Sequence, residues 1–326
     1  MSATKPILER YRGLRVLVTG ATGLIGSHLA LRLLDAGAIV HALVPPDDPG
    51  ASLLHRAGRF DELRAHRGLL EDGPAVAAAV AASRARIVFH LGAQTQVREA
   101  RRDPAATFAA NVTGTWNVLE ACRTATEGPE AIAVASSDKA YGKSDRLPYV
   151  ETDPLAGTEP YEASKAMTDI LAQTYARTYG LPTRIARCGN VYGAGDLNWD
   201  RIIPGTVAAL LRGERPIIRS DGTPVRDFVH VDDVVDAYLL LGDPSIAPGA
   251  AYNFSSGERK SVFEVLQLVG EAAGSSLEAD VRADAVGELA EQYLDSTKAR
   301  TELGWRPGRR MAESLGEIVA WYRMAA

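Results

Sequence analysis

The stretch Leu14-Arg-Val-Leu-Val-Thr-Gly-Ala-Thr-Gly-Leu-Ile-Gly-Ser27 decides the fold. Its first part, Leu14 to Thr19, is a short β-branched run that predicts a buried strand. Ser27 to Ala36 predicts a helix that ends at Gly37. Between strand and helix lie three glycines at a spacing of three, which are Gly20, Gly23 and Gly26. A glycine-rich turn in this context is typical of a dinucleotide-binding βαβ unit.

Each glycine has a physical role in such a turn. Gly20 permits the tight turn, Gly23 lets the backbone approach a pyrophosphate, and Gly26 lets the helix pack closely on the strand. The helix N-terminus adds free N–H groups and a positive dipole end. We therefore predict that a nicotinamide dinucleotide binds the turn formed by Gly20, Thr22, Gly23, Leu24, Ile25 and Gly26.

The composition is that of an ordinary globular protein. Of 326 residues, 46% are hydrophobic and 24% charged, which excludes intrinsic disorder. The net charge of -5 argues against a nucleic-acid partner. Two cysteines and six scattered histidines predict neither a disulfide framework nor a metal site. A polar N-terminus and the lack of an 18-residue apolar run predict no membrane span and a cytoplasmic location.

Strands and helices alternate through the first half of the chain. The predicted strands are 38–44, 86–91, 131–135 and 183–187, and the predicted helices between them are 75–82, 107–121 and 161–179. Such alternation indicates parallel βαβ units. The expected fold is α/β, a Rossmann doubly wound parallel sheet with a smaller C-terminal α/β substrate domain.

The alternation degrades after Arg187. Gly189 to Asp200 is rich in Gly and Asn and predicts a loop. Amphipathic stretches predict further helices at 203–212, 232–241, 262–272 and 311–322. We predict a cofactor-binding domain over 1–186, with chain from about 225–250 crossing back, and a substrate-binding domain over 187–326.

Polar residues follow the strand 131–135, where parallel sheets place their ligands. They are Ser137, Asp138 and Lys139. Tyr161 and Lys165 begin the next helix at an i, i+4 spacing, so they share one helical face. A phenol with a pKa near 10 is a poor base, but a nearby ammonium and a cationic nicotinamide ring lower that pKa. This set predicts reversible oxidation of an alcohol, with Ser137 bonded to the oxygen that becomes the ketone.

Together the motifs resemble the extended short-chain dehydrogenase/reductase family, the nucleotide-sugar epimerases and dehydratases. The resemblance covers nearly the whole chain. Besides the glycine turn and the Ser/Tyr/Lys set, it includes His90-Leu-Gly-Ala-Gln94, Asn111-Val-Thr-Gly-Thr115, Arg187-Cys-Gly-Asn190-Val-Tyr-Gly193, Arg226-Asp-Phe-Val-His-Val-Asp232, Asn253-Phe-Ser-Ser-Gly257 and Leu303-Gly-Trp305.

Within that family, Ser137-Asp138-Lys139 looks most like the CDP-glucose 4,6-dehydratase branch, as does Asn190-Val-Tyr-Gly-Ala-Gly-Asp196. The resemblance implies that Asp138 protonates the departing C6 hydroxyl and that Lys139 removes the C5 proton, although most 4,6-dehydratases carry Glu at the Lys139 position. Two alternatives stay open. One is a 4-epimerase or decarboxylase with the same Ser/Tyr/Lys triad, and the other is a non-catalytic nucleotide-sensing protein, a class that usually lacks the Tyr/Lys pair.

For the cofactor, the resemblance implies contacts from Leu91, Gly92, Ala93, Asn111, Tyr161 and Lys165. The acidic ribose ligand expected at the end of the second strand is missing, and Asp47 either replaces it or is a solvated turn residue. The usual Gly-Asp-Leu that contacts adenine reads Gly68-Leu69-Leu70, so Leu69 is left with apolar contact. No Arg directly follows the second strand, and NAD is favoured over NADP, with Arg56 or Arg59 as the alternative clamp for a 2′-phosphate.

A nucleotide-diphosphate sugar needs cations or N–H groups at its phosphates. Arg226 is the first candidate, because the family places an Arg of its motif there. Arg282 and, more weakly, Arg219 are further candidates, Asn190 is expected at the diphosphate or sugar, and Thr95 and Gln96 are expected at the sugar. No residue identifies the base. The resemblance also implies a homodimer in which 107–121 and 161–179 of two subunits form a four-helix bundle.

Overall fold

The computed structural model describes residues 4–275, 277–284 and 289–325. The strands are β1 Arg15–Thr19, β2 Ile39–Val44, β3 Arg64–Arg67, β4 Ile87–His90, β5 Ala131–Ala135, β6 Thr183–Cys188, β7 Asn190–Tyr192, β8 Ile217–Ile218, β9 Val225–His230, β10 Ala250–Phe254, β11 Glu258–Ser261, β12 Asp280–Val281 and β13 Glu291–Gln292. The helices are α1 Thr4–Glu9, α2 Leu24–Asp35, α3 Leu53–Arg56, α4 Gly73–Ser83, α5 Val97–Arg102, α6 Pro104–Phe108, α7 Gly114–Thr124, α8 Pro160–Tyr179, α9 Ile202–Leu211, α10 Val231–Leu241, α11 Val262–Ala273, α12 Thr297–Glu302 and α13 Met311–Ala325.

Seven strands form one sheet in the order β10-β6-β5-β4-β1-β2-β3. The pairs β1–β2, β2–β3, β1–β4, β4–β5 and β5–β6 are all parallel. The strand order reverses direction between β1 and β4. In open α/β sheets, ligands bind beyond the carboxyl ends of the strands at such a point. The fold thus places the glycine-rich turn after β1 at the expected ligand crevice.

The apolar strand residues form the core of this sheet because both of its faces are covered. One cluster of buried side chains joins the strands to α4, α7 and α8, with Leu17, Val88, Val118, Ile132 and Ile185 among its members. Buried runs without polar alternation are expected of central parallel strands. The same strands carry the ends at which the site residues lie.

The chain divides into two compact units. The first contains the residues up to Gly142, Glu151–Arg187 and Val235–Tyr252, and the second contains Lys143–Val150, Cys188–Val234 and the chain from Asn253 onward. The second unit has its own core, built around Tyr192, Val207, Phe228, Val265, Leu315 and Tyr322.

These boundaries differ in two places from the ranges predicted from the sequence. Residues 143–150 were predicted in the first domain, but Tyr149 bridges Leu294 and its carbonyl accepts the Asn253 side chain at 3.0 Å. The predicted crossing segment began at about 225, whereas β9 belongs to the second unit. Both partners of Tyr149 are more than 100 residues away, and no local pattern reports such contacts.

The loop predicted over Gly189 to Asp200 is wrong in part. Asn190–Tyr192 is a strand, β7, which pairs in parallel with β9. Three residues are too few for a periodic signal. The strand forms because β9 offers its backbone groups, and it brings Asn190 beside Phe228.

The helix predicted over 107–121 is interrupted. α6 ends at Phe108, Ala109–Thr113 form a π turn, and α7 begins at Gly114. Within this turn the Asn111 carbonyl accepts the hydroxyls of Thr115 at 2.5 Å and Thr168 at 3.1 Å. A π turn inserts one residue into a helix and is frequent at functional sites.

Candidate functional site

The glycine turn has the geometry that the sequence predicts. Gly20 has a φ of +72°, a conformation that only glycine adopts without strain. A Cβ on Gly26 would collide with the Gly20 carbonyl oxygen, so the close packing of helix on strand requires glycine there. Gly23 is the N-cap residue of α2, whose N-terminus has no side-chain cap and no acidic residue in its first turn. The first N–H groups of α2 therefore suit a pyrophosphate.

The turn after β4 closes on the glycine turn. A Cβ on Gly20 would lie 2.7 Å from the Gly92 Cα, so the two backbones are in direct contact. Leu70 packs against the same place, since a Cβ on Gly92 would lie 2.9 Å from the Leu70 Cδ1. Leu91, Gly92 and Ala93 are half-buried here. The predicted cofactor contacts of the first and fourth strands thus meet at the switch point.

Asn111 was predicted to contact the cofactor, and the structure gives its side chain other partners. The Asn111 Oδ1 accepts the Gln94 N–H at 2.7 Å. Its Nδ2 donates to the Gln94 carbonyl at 3.0 Å and to the Ser164 Oγ at 2.9 Å. Through these bonds Asn111 ties the loop after β4 to helix α8, and its predicted contact with the cofactor stays a prediction.

The predicted catalytic residues after β5 are buried at the strand end. Ser137 is 9% exposed and Asp138 2%, and Asp138 opens a 3₁₀ turn that ends at Tyr141. The Ser137 hydroxyl donates to the Asp138 Oδ1 at 2.9 Å and accepts the Lys139 N–H at 3.2 Å. The Ser137 hydroxyl therefore contacts both the Asp138 carboxyl group and the Lys139 backbone N–H.

Lys165 reaches the same strand end from α8. Its Nζ donates to the carbonyl of Ala135, the last residue of β5, at 2.9 Å. Tyr161 lies one turn earlier, half-buried in the first turn of α8, where Glu159 and Glu162 form a capping box. α8 also contacts the 3₁₀ turn that contains Asp138. The structure thus brings the elements with Ser137, Asp138, Tyr161 and Lys165 together.

A buried ion pair between Arg187 and Asp169 holds these elements together. Both nitrogens of the Arg187 fork reach Asp169, Nε to Oδ2 at 2.8 Å and Nη2 to Oδ1 at 3.0 Å. The Arg187 Nη1 donates to the Tyr141 hydroxyl at 2.8 Å and to the Glu151 carbonyl at 2.9 Å. One guanidinium therefore joins β6, α8 and the 3₁₀ turn. The sequence showed Arg187 only as part of a motif, and Asp169 had no signal.

The residues predicted to contact the adenosine lie on exposed turns. Asp47 is exposed on the turn after β2, and Leu69 is 42% exposed after β3. The Arg67 Nη1 donates to the Pro45 carbonyl at 3.1 Å between these two turns. Arg59, one of the alternative phosphate clamps, is held by Asp35 at 2.5 Å and Glu62 at 2.7 Å.

The predicted substrate residues fall into three groups. Thr95 and Gln96 are exposed on the loop between β4 and α5 in the first unit. Asn190 and Arg226 lie on β7 and β9 of the small sheet in the second unit, where the Asn190 Nδ2 donates to the Asp227 carbonyl at 3.2 Å. Arg282 follows a separate two-stranded sheet and is paired at the surface with Asp280 at 3.2 Å, so the structure does not join it to Asn190 and Arg226.

Two features are absent from the described residues. Within residues 4–275, 277–284 and 289–325, no group of three or more His, Cys, Asp or Glu side chains could hold a metal ion. In the same part of the chain, no helix has the length and apolar character that a membrane span needs.

Known proteins match this chain over nearly its whole length. The family described as NAD dependent epimerase/dehydratase matches residues 16–254. The chain is 33% identical to a dTDP-glucose 4,6-dehydratase of Streptomyces antibioticus, over 95% of this chain and 92% of that protein. It is 33% identical to a UDP-glucose 4-epimerase of Mycolicibacterium smegmatis, over 95% and 99%. It is 30% identical to a CDP-glucose 4,6-dehydratase of Salmonella typhimurium, over 96% and 91%.

Solved structures agree with these matches. A UDP-glucose 4-epimerase from Thermotoga maritima superposes with a TM-score of 0.87 at 29% identity, over 95% of this chain and 98% of that one. A dTDP-glucose 4,6-dehydratase from Streptomyces venezuelae, solved with NAD bound, superposes with a TM-score of 0.84 at 31% identity, over 95% and 97%. The Rossmann fold and the resemblance predicted from the sequence are confirmed.

Proposed function

Because this chain belongs to the NAD dependent epimerase/dehydratase family, we propose that it is an NAD-dependent nucleotide-sugar 4,6-dehydratase that acts through a transient 4-keto sugar. The observation that carries the proposal is Asp138, a buried carboxyl group bonded to Ser137 and followed directly by Lys139. Elimination of water needs an acid and a base beside the oxidation site, and these two residues supply both types of group.

The glycine turn fits NAD. The uncapped start of α2 and the contact between Gly20 and Gly92 make a backbone cradle, and the tight turn that forms it leaves no room for a Cβ at Gly20 or Gly26. When bound, NAD would supply a reversible hydride acceptor beside C4 and C6 of the sugar. Gly20 to Gly26 would hold its pyrophosphate, and Asp47 and Leu69 are the candidates for the adenosine end.

Tyr161 takes the proton of the C4 hydroxyl. The Lys165 ammonium, anchored at the Ala135 carbonyl, favours the phenolate because opposite charge stabilises it. Ser137 bonds the oxygen that becomes the ketone. The i, i+4 spacing of Tyr161 and Lys165 on α8 supports this division of roles.

Elimination then uses the residues after β5. The 4-ketone acidifies the C5–H bond, and the Lys139 amine takes that proton while the C6–O bond breaks. Asp138 gives its proton to the departing hydroxyl, which leaves as water. Lys139 returns its proton to C5 when C6 is reduced. Tyr161 then releases the C4 proton to solvent and Asp138 takes one up, so both residues return to their starting states. The product is a 4-keto-6-deoxy sugar, and the sum of the steps is the loss of one water.

The substrate is a nucleotide-diphosphate sugar. Arg226 and Asn190 are the candidates for the diphosphate, and their shared sheet supports a common site. Similarity to both a CDP-glucose and a dTDP-glucose dehydratase supports a glucose nucleotide. The cytoplasmic location predicted from the sequence stays a prediction.

We expect Asp138→Asn to lower the rate of dehydration by about 10²-fold or more, because an amide cannot protonate the leaving hydroxyl. The purified enzyme is incubated with CDP-, dTDP-, UDP- and GDP-glucose, and the 4-keto-6-deoxy product is measured. The control is Asp61→Asn, which makes the same change at an exposed carboxyl group that is distant from Asp138 in the sequence. Undiminished dehydration in Asp138→Asn would exclude its role.

A nucleotide-sugar 4-epimerase or decarboxylase is the second candidate. It is favoured by 33% identity to a UDP-glucose 4-epimerase, and epimerisation needs only Ser137, Tyr161 and a pocket in which the keto sugar turns over. The same incubations separate the two functions. An epimerised hexose, or a pentose formed from a hexuronate, without any 6-deoxy product identifies the second candidate.

We also propose a homodimer through α7 and α8. Large apolar side chains are exposed on these helices, with Trp116 50%, Met167 45% and Ile170 51% exposed. Exposed apolar patches of this kind mark interaction surfaces.

Ile170→Glu is expected to halve the sedimenting mass, because a buried unpaired charge disfavours the bundle. Leu211→Glu, on α9 and 41% exposed, should leave the mass unchanged. A wild-type chain that sediments at about 34.8 kDa would contradict the dimer.

A further inference from the structure

One buried histidine lies between the turns after β1 and β4, and the proposed mechanism gives it no role. His90 is the last residue of β4 and is 2% exposed. Its Nδ1 lies 2.8 Å from the Thr19 Oγ1, and its Nε2 lies 3.0 Å from the Thr115 Oγ1. Each ring nitrogen therefore has one threonine hydroxyl as partner.

The direction of these bonds follows from the proton count. The Thr115 hydroxyl lies 2.5 Å from the Asn111 carbonyl, which can only accept. Thr115 therefore spends its single proton there, and its oxygen accepts from His90 Nε2–H. In the neutral ring the Nδ1 then has no proton, so it accepts from the Thr19 hydroxyl. The Gly92 N–H donates in turn to the Thr19 Oγ1 at 3.1 Å.

The ring is neutral at physiological pH. Burial, and secondly the charge of Lys165, lower the pKa of His90 to about 3. A charged ring would also carry an N–H on both nitrogens. The neighbouring Thr115 hydroxyl offers an acceptor, but the Thr19 hydroxyl is a donor toward Nδ1, so a proton on Nδ1 would face another donor. Each donor from the Gly92 N–H to the Thr115 hydroxyl thus has an acceptor along the chain of bonds, and all of them donate in the same direction.

This chain of bonds spans the elements that form the site. At one end, Gly92 touches Gly20 of the glycine turn. At the other end, Asn111 holds Gln94 and Ser164, and Ser164 directly precedes Lys165. The imidazole therefore adds a second link between the turns after β1 and β4 and helix α8, beside the direct bridge that the Asn111 side chain makes from Gln94 to Ser164.

We propose that His90, as the Nε2–H tautomer, is a positioning residue that holds the turns after β1 and β4 at a fixed place relative to helix α8. The proposal deepens the proposed function and rests on it, because those turns position the dinucleotide against Tyr161. A displacement of about 1 Å between reacting groups can slow an enzyme about 10²-fold.

The tautomer is tested directly by nitrogen NMR of the full chain labelled with ¹⁵N-histidine. We expect His90 to show a protonated Nε2 and an unprotonated Nδ1, unchanged between about pH 8 and pH 5, where an ordinary histidine titrates. A protonated Nδ1, or titration of His90 near the ordinary value, would overturn the proposal. This readout needs no substrate.

The linkage is tested by a double-mutant cycle on the NAD dissociation constant and on kcat. Thr19→Val and Thr115→Val keep the side-chain shape and break the chain on opposite sides of His90. Each is expected to weaken NAD binding or lower kcat by about tenfold, and the double variant to be no worse than the more damaging single variant, because both act through one ring. Thr174→Val, whose hydroxyl bonds only within α8, should change neither quantity by more than about twofold.

The positioning role would be overturned if the effects of the two single substitutions multiplied in the double variant. It would also be overturned if both single variants matched Thr174→Val in NAD dissociation constant and in kcat. If instead the wild-type protein turns over none of the nucleotide sugars, the proposed function fails. The NAD affinities and the NMR spectrum then still decide the role of His90.

Discussion

Tyr161→Phe is expected to lower kcat by about 10²–10⁴-fold, with NAD binding retained. The substitution removes only the phenolic oxygen, which is the group that accepts the C4 proton in the proposed mechanism. The Lys165 Nζ is anchored at the end of β5, and the carboxylate that lies nearest on α8, Glu162, is engaged in the capping box with Glu159. Without that base, removal of the hydride would leave a protonated ketone, which is a high-energy species.

The measurement is turnover of the preferred nucleotide sugar together with the NAD dissociation constant. Tyr179→Phe is the matched control, since Tyr179 ends the same helix and is 56% exposed. It should leave kcat within about twofold of the wild-type value, as expected of an exposed substitution. Intact turnover in Tyr161→Phe would remove the basis of the proposed chemistry.

Arg187→Met is expected to lower the free energy of unfolding by about 3–5 kcal/mol, because it leaves the Asp169 carboxylate buried and uncompensated. The Arg187 and Asp169 side chains are 2% and 0% exposed, and the pair is bidentate. The change also removes the Arg187 Nη1 group, which donates hydrogen bonds to the Tyr141 hydroxyl and to the Glu151 carbonyl. Denaturant unfolding of the purified chain measures the effect.

Two further variants separate charge burial from loss of contact. Arg86→Met breaks an ion pair whose partners are 53% and 44% exposed, so its cost should not exceed about 1 kcal/mol. Arg187→Met combined with Asp169→Leu removes both charges and should recover part of the lost stability. Equal losses in Arg187→Met and Arg86→Met would show that burial of the pair carries no special cost.

The first βαβ unit could be predicted because its signals are local. A β-branched run, three spaced glycines and an amphipathic helix lie within one short stretch, and each has a backbone reason that does not depend on distant residues. The same holds for Tyr161 and Lys165, whose spacing places them on one helical face wherever the helix packs. The polar residues after β5 could be predicted because parallel sheets collect ligands at that end.

Other features have no local signal. The strand β7 exists because β9 pairs with it, and residues 143–150 join the second unit because Tyr149 meets Leu294. Asn111 illustrates the same limit within the site. Its predicted cofactor contact stays a prediction, whereas its bonds to partners 17 and 53 residues away had no signal in the sequence.

The sequence by itself determined the class of chemistry, since the glycine turn and the Ser137, Tyr161 and Lys165 set are defined by residue type and spacing. Only the tertiary structure decided how that chemistry is held. The Arg187–Asp169 pair and the polarity of the bonds around His90 depend on groups that folding brings together. In a buried, low-dielectric interior such groups must find partners of the right sign, and that requirement acts on positions in space rather than on positions along the chain.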